Sequence, residues 1–257
     1  MYIDSHCHID DEKIIDKNNA VKSAIESGVD IMINMACNAN SCQSSMELAS
    51  QHKSIYFGVG YHPEYVEEFS EKSIDFILDY VTHNKCVCIG EIGLDYHYNG
   101  FDKHRQIQMF LSFIELANQV KLPISIHSRD ATEDMIKILK ENKSKLSSGF
   151  VMHCFSGSRE TAKTILDLGG YISFGGTVTF KNAVNIKEIA GFVPSEFILT
   201  ETDTPYLSPE PFRGKINQPK NIPYIVNCLS KIKNVEEDSL ARIIRDNCLR
   251  VFSKIKA

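Results

Sequence analysis

Short apolar runs alternate along the chain with stretches whose apolar residues recur at helical spacing. The runs fall at 2–7, 30–36, 55–60, 86–91, 123–127, 149–153, 170–175 and 197–201, each of strand length. Between them lie amphipathic stretches at 14–27, 40–51, 71–83, 103–121, 131–142, 158–168 and 181–190, and a last helical region covers about 221–254. The pattern is plainest in 103–121, where Ile107, Phe110, Leu111, Ile114, Ala117 and Val120 share one helix face. Eight strand–helix repeats predict an α/β fold, a (β/α)8 TIM barrel with a parallel sheet. A doubly wound open sheet alternates in the same way, but no Gly-rich phosphate fingerprint follows the first strand. No linker or low-complexity stretch interrupts the pattern, so 1–257 reads as one domain. The longest irregular segment, about 203–220, is rich in Pro and Gly, and a loop that long in a compact domain is usually functional.

Length agrees: 257 residues match the ~250 typical of a single barrel. Hydrophobic content of 43% suffices for one large core. The net charge of -5 gives no global attraction for polyanions, so local cations and bound metal must draw in any nucleic acid. None of the eight cysteines forms a CxxC, and most sit in apolar or helical surroundings, which predicts reduced, buried thiols. The N-terminus lacks a basic segment followed by an apolar one, and no run approaches 18 apolar residues. The expectation is a cytoplasmic protein with no membrane association.

The chemistry lies at the strand ends. In a parallel barrel the active site forms at the C-terminal ends of the strands. Those ends carry His6 and His8, His62, Glu91, His127, His153 and Asp203, so five of the nine histidines cluster at one rim. His6 and His8 are two apart in a strand and point to the same face, with Cα atoms about 6.6 Å apart. Cys7 and Cys154 adjoin such histidines, but a neighbour on a strand points away, so neither is expected to bind metal.

Four imidazoles (His6, His8, His127, His153) and two carboxylates (Glu91, Asp203) suit zinc, manganese or iron better than calcium. Six donors exceed the need of one tetrahedral zinc with an open position. They suit two ions about 3.5–4 Å apart with a bridging carboxylate. Glu91 is the expected bridge, since its strand lies between the first and the fifth. His6, His8 and Asp203 would complete one ion, and His127 and His153 the other. The expected cofactor is two divalent ions: zinc, manganese or magnesium. Such an ion lowers the pKa of bound water from about 15.7 to about 7, which yields a nucleophile at neutral pH. Asp203 is placed to take its proton, so Glu91 and Asp203 form the expected catalytic pair.

Seven segments then carry a resemblance: Asp4-Ser5-His6-Cys7-His8, Gly58-Val59-Gly60-Tyr61-His62-Pro63, Gly90-Glu91-Ile92-Gly93-Leu94-Asp95-Tyr96, the run from Leu122 to Ala131, His153-Cys154-Phe155-Ser156-Gly157, the run from Glu201 to Leu207, and the run from Arg213 to Pro219. In this order, end to end, they resemble the TatD-type metal-dependent deoxyribonucleases of the amidohydrolase-like barrels. The resemblance implies divalent-metal-dependent hydrolysis of DNA phosphodiesters, often from the 3′ end. All six metal positions of the family pattern hold the expected residue types. His97, which departs from the pattern, lies outside that set.

Substrate contacts are expected from Arg129, two residues after His127 on the same rim, and from Arg213 in the long loop beside Lys215. Bidentate Arg–phosphate pairing fits both. His62, just before a proline, could donate to a phosphate or hold a substrate end. Tyr61, Tyr96 and Tyr206 could stack on unpaired bases. Asp95 is expected to support the loop beside Glu91, and Asn247 and Arg250 to pack a terminal helix. The expected enzyme is a monomeric 3′–5′ exonuclease acting on single-stranded or frayed DNA. One alternative is an amidohydrolase-type enzyme for a small amide, lactone or phosphoester, from which Glu91 in place of a modified lysine separates it only in part. Another is a non-catalytic nucleic-acid-binding metalloprotein, against which the open-rim donor set argues, because structural sites are usually closed.

Overall fold

The computed structural model describes residues 1–256. Its eight strands are β1 (Tyr2–Cys7), β2 (Val29–Met35), β3 (Ile55–Val59), β4 (Cys86–Asp95), β5 (Ile124–Arg129), β6 (Phe150–Met152), β7 (Tyr171–Phe174) and β8 (Ile198–Thr200). They pair in chain order through parallel ladders. Around them run α1 (Lys17–Glu26), α2 (Ala39–Gln51), α3 (Glu71–Val81), α4 (Lys103–Val120), α5 (Thr132–Glu141), α6 (Arg159–Asp167), α7 (Val184–Phe192), α8 (Ile222–Lys233) and α9 (Glu237–Val251). This is the (β/α)8 barrel that the alternation predicts.

Three boundaries differ from the pattern for identifiable reasons. The stretch over 14–27 becomes helical only at Lys17, because the Asp16 side chain accepts the Asn19 N–H and caps the first turn. The region 221–254 is two helices, since Asn234 at φ 52° ends α8 in a left-handed cap. Strand β4 runs four residues past its predicted end, to Asp95, where it pairs with Arg129 at the end of β5. Gly93 permits this approach: a Cβ there would lie 2.0 Å from the His127 carbonyl oxygen.

The larger core layer lies between strands and helices and includes Phe57, Ile89, Phe110, Phe113 and Leu139. A second cluster joins Ile3, Tyr56, Val87, Val151, Tyr171 and Leu199, near the strand starts, to Val251 and Phe252 at the end of α9. It plugs the end of the barrel opposite the expected site. Asn247 on α9 donates to the Ser195 and Ile198 carbonyls at 2.8 and 2.9 Å and itself accepts from Arg250, a packing arrangement.

Between β8 and β1 the closure is made by other means. The His8 N–H donates to the Thr204 carbonyl at 2.8 Å, and the Asp203 N–H to the His6 carbonyl at 3.0 Å. The fully buried Asp4 carboxylate accepts from the Thr202 N–H, the Thr202 hydroxyl and the His6 N–H. Burial pushes the Asp4 pKa up to about 8. Among the described residues no helix is long and apolar enough to cross a membrane, and all eight cysteines are free thiols.

Candidate metal centre

Glu91, 3% exposed on β4, divides its carboxylate between two pairs of imidazoles. Its Oε2 lies 3.3 Å from His6 Nε2 and 3.5 Å from His8 Nε2. Its Oε1 lies 2.9 Å from both His127 Nδ1 and His153 Nε2. Asp203, held at φ 55° just after β8, brings Oδ1 to 3.5 Å from His8 Nε2 and 4.0 Å from His6 Nε2. The two Nε2 atoms of His6 and His8 are 3.3 Å apart. His6, His8 and Asp203 form one three-donor group, and Glu91 Oε2 stands beside its two imidazoles, most of these separations lying near the ~3.4 Å edge of a tetrahedron with bonds of about 2.1 Å. Glu91, His127 and His153 form a second, three-donor group, with 3.3 Å between the two ring nitrogens. Three donors leave an open side, as catalytic sites require. The chemistry and spacing of these donors fit divalent ions, and the structure brings all six residues together at one rim.

The far side of each ring also faces a polar group. His8 Nδ1–H donates to the Met35 carbonyl at 2.8 Å, and His6 Nδ1 is 3.2 Å from the Ser125 hydroxyl. His127 Nε2 faces Asp95 Oδ2 at 3.0 Å, and His153 Nδ1 faces Glu201 Oε1 at 3.3 Å. Burial disfavours charge on His8, His127 and His153, but the acidic groups around them override it and hold their pKa values above the ordinary range. Burial would raise the Glu91 pKa, but the surrounding imidazoles hold it well below the usual carboxylate range.

Three residues of the centre are not expected from the sequence. Glu201, fully buried, stands two positions before Asp203, the same i, i+2 spacing that marks His6 and His8. Asp95 touches His127 rather than only bracing its loop. Cys37, read as a buried small hydrophobe, places Sγ 3.8 Å from His8 Nδ1 and 3.9 Å from Glu91 Oε2. Its signal was its place two residues beyond β2, on the same rim. Cys7 does turn away, with Sγ against the Ile33 carbonyl, and Cys154 belongs to none of the donor groups.

The centre floors a cavity of about 990 Å³. His62 lies in its wall with Nε2 3.7 Å from Glu91 Oε1, while its Nδ1 accepts the Glu64 N–H. Burial lowers its pKa to about 3, so the ring is neutral and offers Nε2–H toward the centre. Arg129 is exposed in the same wall, its guanidinium over the Tyr98 ring at 5.4 Å. Arg213 is not brought to the cavity. The long loop folds back, pinned by Asn217 on the Thr202 and Tyr206 carbonyls, and Arg213 lies over Phe180 at 4.2 Å. Lys215 is likewise exposed, beside Phe212.

Two of the three tyrosines are also placed otherwise than expected. Tyr61 is 4% exposed and packed against Phe69 and Phe113, so it has no free face. Tyr96 stacks on Phe101 and donates to Asp134 at 2.9 Å. Tyr206 does line the cavity, as does the unexpected Tyr98, 54% exposed. The wall is acidic, with Asp10, Asp11, Glu12 and Glu64, and Arg129 is the one Lys or Arg among its described residues.

Residues 3–253 match the family model described as TatD related DNase. The chain is 37% identical over 253 residues to the metal-dependent hydrolase YabD of Bacillus subtilis, covering 98% of this chain and 99% of that one. It is 35% identical over 254 residues to the metal-dependent hydrolase YcfH of Escherichia coli, covering 97% and 95%. The structure of YjjV, a TatD homolog from Escherichia coli, superposes with a TM-score of 0.92 at 28% identity, covering 98% of each chain. With the barrel, the two donor sets and these relatives in agreement, the chain belongs to the TatD-related DNase family of metal-dependent hydrolases.

Proposed function

We propose that the protein hydrolyses DNA phosphodiesters from a strand end, on single-stranded or frayed DNA, with two divalent ions. The observation that carries this reading is the division of Glu91 between two imidazole pairs, Oε2 toward His6 and His8 and Oε1 toward His127 and His153. Divalent ions in the two sets would polarise the phosphoryl group and lower the pKa of a bound water. Glu91 spans both sets with one negative charge. Asp203, whose pKa burial would raise but the His8, His153 and His6 imidazoles lower, is ionised and can accept the proton of the attacking water. His62 offers Nε2–H to a phosphate oxygen, and Arg129 can pair with the next phosphate along the strand. Tyr98 and Tyr206 offer faces for unpaired bases.

The preference for an end follows from the shape and charge of the cavity. The phosphate must descend to the rim donors, and the opposite end of the barrel is plugged. Duplex DNA, with a persistence length of about 50 nm, bends into such a depression only at high cost. The acidic wall disfavours a long polyanion lying across the mouth, so a few terminal nucleotides fit better than a continuous strand. The same wall favours, as a second reading, a small ester, lactone or amide with little negative charge.

The test is cleavage of a linear single strand, a blunt duplex and a covalently closed single-stranded circle of the same sequence, with chelator and with added manganese, zinc or magnesium. The linear strand should be cut fastest, and chelator should stop it. A circle cut as fast as the linear strand would refute the requirement for an end. Metal-dependent turnover of small esters without phosphodiester cleavage would establish the second reading instead.

A further inference from the structure

The two donor sets carry their negative charge in different places. The set at His6 and His8 has two carboxylates among its donors, Glu91 and Asp203, and its rings lean on neutral groups, the Ser125 hydroxyl and the Met35 carbonyl. The set at His127 and His153 has only the shared Glu91, yet each of its rings has a carboxylate behind it: Asp95 at 3.0 Å and Glu201 at 3.3 Å.

Both carboxylates are fixed from elsewhere. Gln106 on α4 clamps the Asp95 backbone, accepting its N–H and donating to its carbonyl, each at 2.9 Å. Asp95 Oδ1 accepts the His97 N–H. Glu201 Oε1 accepts the Cys154 N–H at 2.5 Å. Glu201 Oε2 and His153 Nδ1 have no hydrogen-bond partner although both are buried. A fully buried carboxylate with one unpaired oxygen is costly, and the ring that faces it is His153, whose Nδ1 lies 3.3 Å from Glu201 Oε1.

We propose that Asp95 and Glu201 are positioning residues that build the second ion's site from behind: Asp95 holds His127 with Nδ1 facing the ion, Glu201 holds His153 with Nε2 facing it, and both make the rings stronger donors. The assignment rests on the two-ion reading. A carboxylate hydrogen-bonded to the far nitrogen of a metal-binding histidine sets its tautomer and raises its basicity, and losing it typically weakens metal binding about 10–100-fold. In this arrangement the first ion is held by directly bound charge and the second by charge one bond further out. The second ion thus keeps its open side and its electrophilic character while still being retained.

Equilibrium dialysis of the purified chain against manganese alone or zinc alone, with bound metal counted per chain, tests this. The wild type should bind two ions. Glu201→Gln and Asp95→Asn, which keep shape but remove charge, should leave the tighter ion unchanged and raise the dissociation constant of the other about 10–100-fold. Ser125→Ala, behind His6, should not loosen that ion. Cobalt absorption spectra of the same proteins report which set fills first, and thermal melts of the metal-free variants exclude misfolding. Two ions bound with unchanged affinity in both variants would overturn the positioning role, and so would equal weakening of both ions. A wild type that binds a single ion would overturn the two-ion reading itself, a distinguishable result.

Discussion

The donors of the centre come from two parts of the barrel that are built differently. Glu91 and His127 stand on β4 and β5, joined by a parallel ladder that runs through Gly93–His127 to Asp95–Arg129. His6, His8 and Asp203 stand where β8 meets β1, and there the joint is made by a few main-chain bonds in the loops and by the buried Asp4 carboxylate on Thr202 and His6. In the first region no single side chain carries the geometry, because backbone hydrogen bonds repeat along the ladder. In the second, side chains carry part of it, Asp4 with three of these bonds and the Thr200 hydroxyl with one to the Ile3 carbonyl. Substitutions should therefore separate the two regions.

The largest effect is expected where the regions share a residue. Glu91→Ala removes the group common to both sets and should lower turnover by more than roughly 10³-fold, with an unchanged circular dichroism spectrum. Turnover within tenfold of wild type would show that the regions work without a shared carboxylate. Asp203→Asn touches only the β8–β1 side. It should keep some metal while losing roughly 10²–10⁴-fold in turnover through proton transfer. Unchanged turnover would mean that Asp203 neither binds metal nor acts as a base.

Asp4→Ala tests the joint without touching a donor. It orphans the buried Thr202 and His6 N–H groups, at a cost of about 1–3 kcal/mol each. A shift of about 2–4 °C per kcal/mol follows for a chain of this size, readable in a thermal melt. No change in melting temperature would show that the main chain alone closes the barrel.

pH sharpens the comparison. In metal-free protein burial acts against charge on His8, His127 and His153, yet neighbouring acidic groups raise their pKa values above 6.5. Protons held more tightly by the folded state stabilise it. That contribution is complete below pH 6.5 and is lost as pH rises through the raised values. Ion binding displaces the same protons, so affinity should climb over the interval in which chelated protein loses stability. Asp4, raised by burial from 3.8 to about 8, acts in the same direction, and Asp4→Asn removes its share. His6 and His62, both lowered by burial, act below pH 6.5 and in the opposite sense. A metal affinity independent of pH between 6.5 and 8.5 would contradict this account.

The smallest effect lies at the rim. Arg129→Ala should weaken DNA binding alike for all sequences and reduce the salt slope by roughly 1. Arg213→Ala, whose guanidinium lies on Phe180, should change both less. The reverse ranking would place the long loop, and not the β5 rim, at the phosphate.

Much of this protein is determined by sequence alone. The alternation of strand-length and helix-length patterns sets the barrel, because side-chain period and connection length leave few topologies. Strand order then carries His6, His8, Glu91, His127, His153 and Asp203 to one rim, because in a parallel barrel every strand ends on the same side. The tertiary structure alone decided what each side chain meets there. Tyr61 and Arg213 sit in motifs as suggestive as those of Tyr206 and Arg129, but Tyr61 is packed between Phe69 and Phe113 and Arg213 is carried away by a loop pinned at Asn217. Glu201 behind His153, Cys37 beside His8 and the division of Glu91 between two imidazole pairs are contacts between residues 29 to 85 positions apart. Periodicity names a face and an order around the barrel. Strand register, irregular between Ile89 and Ile92, and loop packing settle distances of a few ångströms, and at that scale the chemistry of the centre is decided.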